Sequence, residues 1–265
     1  MISGAEAHRI RRALQSVSGW VSEIVVVINE EVQDGTAEIA QSFHARVFRE
    51  PWKGMIGQKA SAAAKAASEW ILDLDADEVV SDALREEIRR AFQNASELDQ
   101  LAAFSYPRLS WYMGRWIRHG DWYPDLQTRL WRRGRGQWEG LDPHAKLRVQ
   151  GRVRRLSSDL IHYSNESINR QVQKIIPFSD DFVRHRTIRR ANAFELVVRP
   201  WWRFVRAYFL RLGFLDGLAG YYIARLNAFS TLTRYAKLSE AVKERCTVNN
   251  PPEVRNGPKP NHKHI

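Results

Sequence analysis

Residues 70–80 read WILDLDADEVV: an apolar start, then Asp73, Asp75 and Asp77 on alternate positions, with Glu78 directly after. Carboxylates this close repel one another unless positive charge sits among them. What that charge is decides both fold and function. Read as a strand over 70–75, the stretch puts Ile71, Asp73 and Asp75 on one side and Leu72 and Leu74 on the other. Asp77 then projects from the following turn. Oxygen ligands at this spacing suit Mg²⁺ or Mn²⁺, which usually take one or two carboxylates and complete their shell with phosphate. The plain alternative is a turn helped by Asp77, with solvated neighbours.

Outward from this strand, helices and strands alternate. Residues 8–19 carry Ile10, Ala13, Leu14 and Val17 at helical spacing. SEIVVVI (22–28) is a short β-branched run suited to a buried strand. DGTAEIAQSF gives a turn and a helix, ARVFRE (45–50) a second strand, and QKASAAAKAASEW (58–70) an alanine-rich helix leading into WILDLD. The alternation predicts a mainly parallel sheet covered by helices on both faces, the α/β class. Ligands of such sheets sit beyond the carboxyl ends of the strands, so Asn29 and Asp75 are expected to face one crevice. Ser81 is expected to cap a helix running to about Phe92.

The chain has 265 residues, 44% of them hydrophobic, enough for a substantial core. Lys and Arg outnumber Asp and Glu by 41 to 30, and the formal charge of +11 favours an anionic partner. Cys246 is the only cysteine, which suits a reducing cytoplasm. No apolar run is long enough to span a bilayer.

Two other chemistries fit part of the acidic stretch. An EF-hand counted from Asp73 needs Gly at its sixth position and Glu at its twelfth, where Glu78 and Leu84 stand, so it is excluded. A phosphatase of the haloacid dehalogenase type would read D-x-D-x-[TV], which Asp75, Asp77 and Val79 satisfy. That reading competes with a basic single-strand nucleic-acid-binding protein.

Three blocks decide among these: EIVVVINEEVQDGTAEIA, GQKASAAAKAASEWILDLDADE and GRWIRHGDWYPDLQTRLWRRGRGQWEG. In this order they resemble the family 2 glycosyltransferases of the lipopolysaccharide-core type, over about residues 8–240. The resemblance implies a GT-A fold and a nucleotide-sugar donor whose diphosphate is bridged by Mg²⁺ or Mn²⁺ to the D-x-D pair, here Asp75 and Asp77. It further implies donor contacts from Asn29, Asp34 and Lys59, and inversion at the anomeric carbon. Two departures stand out. The family's acid after a histidine is replaced by Ala145 in GLDPHAKL, leaving Asp142 or His144 as the catalytic base. MISGAEAHRI leaves little room for the family's first strand, which is expected to be missing or truncated.

Residues 111–138 interleave Trp111, Trp116, Trp122, Trp131 and Trp138 with six arginines. Aromatic faces stack on sugars and arginine forks bind anions, although a β-rich subregion with an aromatic core would show the same composition. The resemblance assigns His119, Asp121, Trp122, Tyr123 and Asp125 to the acceptor side; Arg129, in the same aromatic and arginine block, is expected there too, and His162 is a candidate third metal ligand. In RPWWRFVRAYFLRL, Arg199, Arg203, Arg206 and Arg211 fall on one helical side and Trp201, Val205, Tyr208 and Leu212 on the other. This describes either a helix packed on its own domain or one lying on a membrane surface.

The expected organisation is a donor-binding half over 1–100, an acceptor-side half over 101–165, a helical region over 166–246, and a disordered Pro- and Asn-rich tail over 247–265. The expected activity is metal-dependent transfer of a hexose, from a UDP-sugar, to a lipid-linked or polysaccharide acceptor such as lipopolysaccharide core. The expected location is peripheral, on the anionic cytoplasmic face of the cell membrane, and no nucleic acid partner is expected.

Overall fold

The computed structural model describes residues 1–140, 146–164 and 167–249. β1 (Ile2–Ser3) precedes α1 (Ile10–Val17), β2 (Val25–Asn29), α2 (Thr36–Ser42), β3 (Arg46–Glu50) and α3 (Gly54–Lys65). β1 and β3 flank β2 in a parallel three-stranded sheet, with Ile2 opposite Val27 and Val27 opposite Phe48. The ladder starts at the first residue, because the Met1 amino group donates to Val25 O at 3.0 Å and Val27 N donates to Met1 O at 3.1 Å. Of the two expectations, a missing or a truncated first strand, the short β1 of two residues matches the second. α1 buries Ile10, Ala13, Leu14 and Val17, the stripe its spacing predicts. α2 follows Gly35, whose φ of 88° lies in the left-handed region that favours glycine.

β4 (Trp70–Leu72), β5 (Glu78–Val80), α4 (Asp82–Gln93), α5 (Ala95–Leu98) and β6 (Leu101–Tyr112) come next. β7 (Arg115–Ile117), β8 (Asp125–Arg132), β9 (Gly136–Glu139), β10 (Lys146–Val149), β11 (Arg152–Arg155) and β12 (Leu160–His162) follow. A seven-stranded sheet runs β4-β8-β6-β12-β5, with β7 and β11 also paired to β6. It is mixed: β6 is parallel to β11 and β12 and antiparallel to β7 and β8. β6 is buried almost throughout, as a central strand must be. Strands from either side of residue 100 share this sheet, so the donor-side and acceptor-side halves expected there would be parts of one sheet.

The strand expected over 70–75 ends at Leu72, which lies opposite Leu130 of β8. One further bond, from Asp73 N to Arg129 O at 2.7 Å, closes the ladder, and Asp75 lies beyond it. Ser81 caps α4 as expected, its Oγ accepting from Leu84 N at 3.1 Å. A cavity of about 610 Å³ lies beside β4, walled by apolar groups including Val17, Trp20, Trp70 and Phe92, with Lys59 and Asp73 reaching its edge.

The chain divides into two compact units, Met1–Asn165 and Glu166–Ile265. The second holds α6 (Ile168–Arg184), α7 (Arg199–Val205) and α8 (Gly217–Asn249), with π-helical turns on either side of α7. α8 runs past Leu238 and past the expected start of a tail at 247. Among the described residues no helix is long and apolar enough to cross a membrane.

Candidate functional site

The positive charge among the aspartates comes from the chain itself. Lys59, buried on α3, donates from Nζ to Asp73 Oδ2 and to Asp75 Oδ1, both at 2.7 Å. Arg129, buried on β8, donates to Asp73 Oδ2, to Asp75 Oδ2 at 2.8 Å and to Glu78 Oε1 at 3.3 Å. Arg108 on β6 completes the set, bonding Glu78 at 3.0 Å and Asp125 at 2.7 Å. Three acids, the buried Asp73 and Glu78 and the partly exposed Asp75, thus face three cations, Lys59, Arg108 and Arg129. Unpaired, each such charge would cost several kcal/mol.

The same balance fixes protonation. Burial alone would raise the Asp75 carboxyl, but Arg129 and then Lys59 outweigh it and hold it well below the usual range. Burial likewise opposes ionisation of Asp73, and Lys59 and Arg129 overcome it. Lys59 is held above its ordinary value, its desolvation outweighed by Asp73 and Asp75. All three stay charged at neutral pH.

Asp77 stands apart. About as exposed as Asp75, it differs in its partners, lying 3.5 Å from His162 Nε2 and 3.5 Å from Arg9. The other ring nitrogen of His162 meets Ser110 Oγ at 3.0 Å, which orients the ring. Burial pushes the Asp77 carboxyl up, and the hydrogen bond and charge of His162 bring it below its ordinary value. Arg9 is itself clamped by Glu6, whose backbone N–H donates to Thr36 Oγ1 at 3.0 Å. The segment between β1 and α1 therefore ties the D-G-T turn to Asp77.

Of the residues expected at the donor, Asp34 bonds Ala7 N at 3.0 Å and Thr36 N at 3.1 Å, so it braces that turn. Asn29 closes β2, its carbonyl accepting from Val32 N at 3.0 Å. Lys59 is turned inward onto Asp73 and Asp75. On the acceptor side Arg129 is corrected: it is buried beneath the aspartates and engaged by three acids, not presented to a ligand. Asp125 binds Arg108, and Tyr123 donates to Asp159 Oδ1 at 2.9 Å. Trp122 lies in a short 3-10 turn after His119, with Asp121 beside it, and its ring packs on Tyr112. Trp131 and Trp138 pack edge-to-face in the core. Asp142 and His144 lie outside the described residues. Sequence reasoning passed over Arg9, Arg108 and Ser110, which carry no local signature.

Among the described residues no three His, Cys, Asp or Glu side chains converge as a metal cage. Asp77 and His162 nevertheless offer one oxygen and one nitrogen ligand beside each other. Both oxygens of Asp75 already accept from cations, which leaves it a weak ligand. Two protein ligands, completed by diphosphate oxygens, fit the way Mg²⁺ and Mn²⁺ are usually held. The phosphatase reading fares worse, since its nucleophile would be Asp75, pinned on both oxygens.

Comparison with known proteins agrees with the sequence blocks. The profile of glycosyl transferase family 2 matches residues 3–151. An "uncharacterized glycosyltransferase" of Rickettsia prowazekii is 28% identical over 257 residues, covering 91% of this chain and 85% of its own. A lipopolysaccharide core biosynthesis glycosyltransferase of Rhizobium meliloti is 26% identical over 235 residues, covering 80% and 83%. Among solved structures, TarS of S. aureus aligns over 92% of this chain and 90% of its own, at 14% identity and a TM-score of 0.46.

Proposed function

Because this chain belongs to glycosyl transferase family 2, and with it to the GT-A fold class, we propose that it transfers a hexose with inversion from a UDP-sugar to a lipid-linked glycan. The acceptor we favour resembles lipopolysaccharide core, and we place the reaction on the inner face of the cell membrane. The observation that carries this reading is the division of the acidic stretch. Asp73 and Asp75 are neutralised from within, while Asp77 and His162 are left together at a partly exposed position.

In the reaction an acceptor hydroxyl oxygen bonds the anomeric carbon as that carbon's bond to the diphosphate breaks. The electron pair leaves with the diphosphate, and the hydroxyl proton passes to a general base. A Mg²⁺ or Mn²⁺ ion held by Asp77 and His162 would stabilise the charge gathering on the departing diphosphate. Lys59 and Arg129 hold the Asp75 carboxylate beside that position without competing for the donor. Asp142 or His144 is proposed as the base. His119, Asp121, Trp122 and Tyr123 are proposed to receive the acceptor, and Asn29 with the turn braced by Asp34 to receive the nucleoside.

The test is a donor screen by release of nucleoside diphosphate from the full chain. UDP-sugars should be turned over with Mn²⁺ or Mg²⁺ and not with EDTA. Equal turnover in EDTA would overturn the metal assignment, and turnover of no nucleotide sugar in the presence of a lipopolysaccharide-core acceptor would overturn the proposed activity.

A further inference from the structure

The second unit carries an apolar surface that sugar transfer does not use. The helical run through 194–210 meets α8 at a tight turn. Leu212 takes φ 57°, and the backbones press together: a Cβ on Gly213 would stand 2.6 Å from Ala207 O, and one on Gly220 1.9 Å from Gly213 O. With no room inside the turn, Phe209, Leu210, Leu212, Phe214, Leu215 and Leu218 face outward, Leu210 at 62% and Leu218 at 71% exposure. The Tyr208 ring touches Phe209, Phe214 and Tyr221, which joins the tip into one surface. Such a patch on a soluble surface marks an interaction site.

Charge around the tip names the partner. Residues 199–225 hold five arginines, at 199, 203, 206, 211 and 225, against one acid, Asp216. Asp216 is buried, whereas Arg211 and Arg225 are exposed. Apolar groups at a tip with a basic collar match the depth profile of a bilayer surface, acyl chains beneath and anionic headgroups above. A second copy of the same surface would set like charges against each other.

We propose that the turn over residues 209–218 is a membrane-docking tip. Its leucines and phenylalanines enter the acyl boundary of an anionic leaflet, and Arg211 and Arg225 lie at phosphate depth. This extends the expected membrane helix to the turn that follows it, with Leu212 common to both. The inference deepens the lipid-linked acceptor reading above, and its test needs neither donor nor acceptor, so each can fail alone.

The experiment is sedimentation of the full chain with vesicles of phosphatidylcholine alone or with a quarter phosphatidylglycerol. The chain should partition at least about tenfold more strongly onto the anionic vesicles. The double variant Leu210→Glu/Leu218→Glu, checked for unchanged circular dichroism, should lose about tenfold or more, and Val153→Glu in the first unit should lose nothing. Equal binding by the double variant, equal loss by Val153→Glu, or no binding by the wild type would overturn the proposal. So would a lipid-free dimer that the double variant converts to monomer, since the patch would then be a self-association surface.

Discussion

The two halves of the acidic stretch, Asp73 with Asp75 and then Asp77 two residues on, meet opposite fates. Asp73 and Asp75 are clamped by Lys59 and Arg129, each ion bonded to more than one partner. Among the described residues, the Asp77 carboxylate meets Arg9 and His162 at 3.5 Å rather than in close ion pairs. Carboxylates fully paired in a protein interior serve the fold, because their lone pairs are spent on internal donors. A carboxylate whose oxygens are not spent on close ion pairs retains the capacity to bind. Proximity in sequence to a D-x-D pattern therefore does not by itself assign the same role to each aspartate.

The comparison breaks most visibly if its inner half is disturbed. Arg129→Met leaves Asp73, Asp75 and Glu78 under-compensated and should cost about 3–5 kcal/mol. That corresponds to a fall on the order of 10 °C in melting temperature for a unit of this size. Thermal unfolding without ligand checks it, and a shift under about 2 °C would dissolve the distinction drawn here. Asp77→Asn should leave that melting temperature nearly unchanged while lowering sugar transfer on the order of 100-fold, as for loss of one group that stabilises a departing charge.

Protons sharpen the same contrast. The Asp73 and Asp75 carboxyls are lower in the folded chain than the roughly 3.9 of an unfolded one. Their stabilisation is therefore complete above about pH 5 and is lost as pH falls through the folded values, well under pH 4. Acid unfolding followed by tryptophan fluorescence should show it, and Asp75→Asn should flatten that part of the profile. The smallest effect is expected at Ser110, which orients the His162 ring: Ser110→Ala should weaken the metal dependence of transfer about tenfold, read as the Mn²⁺ concentration at half-maximal rate.

Local features were legible in the sequence. The α1 stripe, the Ser81 cap, the strand at 25–29 and the apolar run of β4 all follow from spacing and neighbouring residues. What sequence spacing alone could not give is which charges meet. Arg129 lies 56 residues from Asp73, and Arg9 lies 68 from Asp77. The register of β8 on β4 brings the first pair together, and the loop after β1 brings the second. For the same reason the alternation drawn through Asp75 stopped at Leu72, where the antiparallel ladder closes. Arg129 was read as an acceptor contact from its aromatic surroundings, since nothing local distinguishes a buried arginine from an exposed one. The outward tip at 209–218 depends on glycine backbones meeting across a turn, which helical periodicity does not report.

The most direct test of the central claim is a melting titration with UDP and Mn²⁺, applied to the wild type, Asp75→Asn and Asp77→Asn. The account predicts that Asp75→Asn melts lower before any ligand is added. Asp77→Asn should melt with the wild type until ligand is added and then show no Mn²⁺-dependent rise. A full Mn²⁺-dependent rise in Asp77→Asn, or a ligand-free loss as large as that of Asp75→Asn, would contradict it.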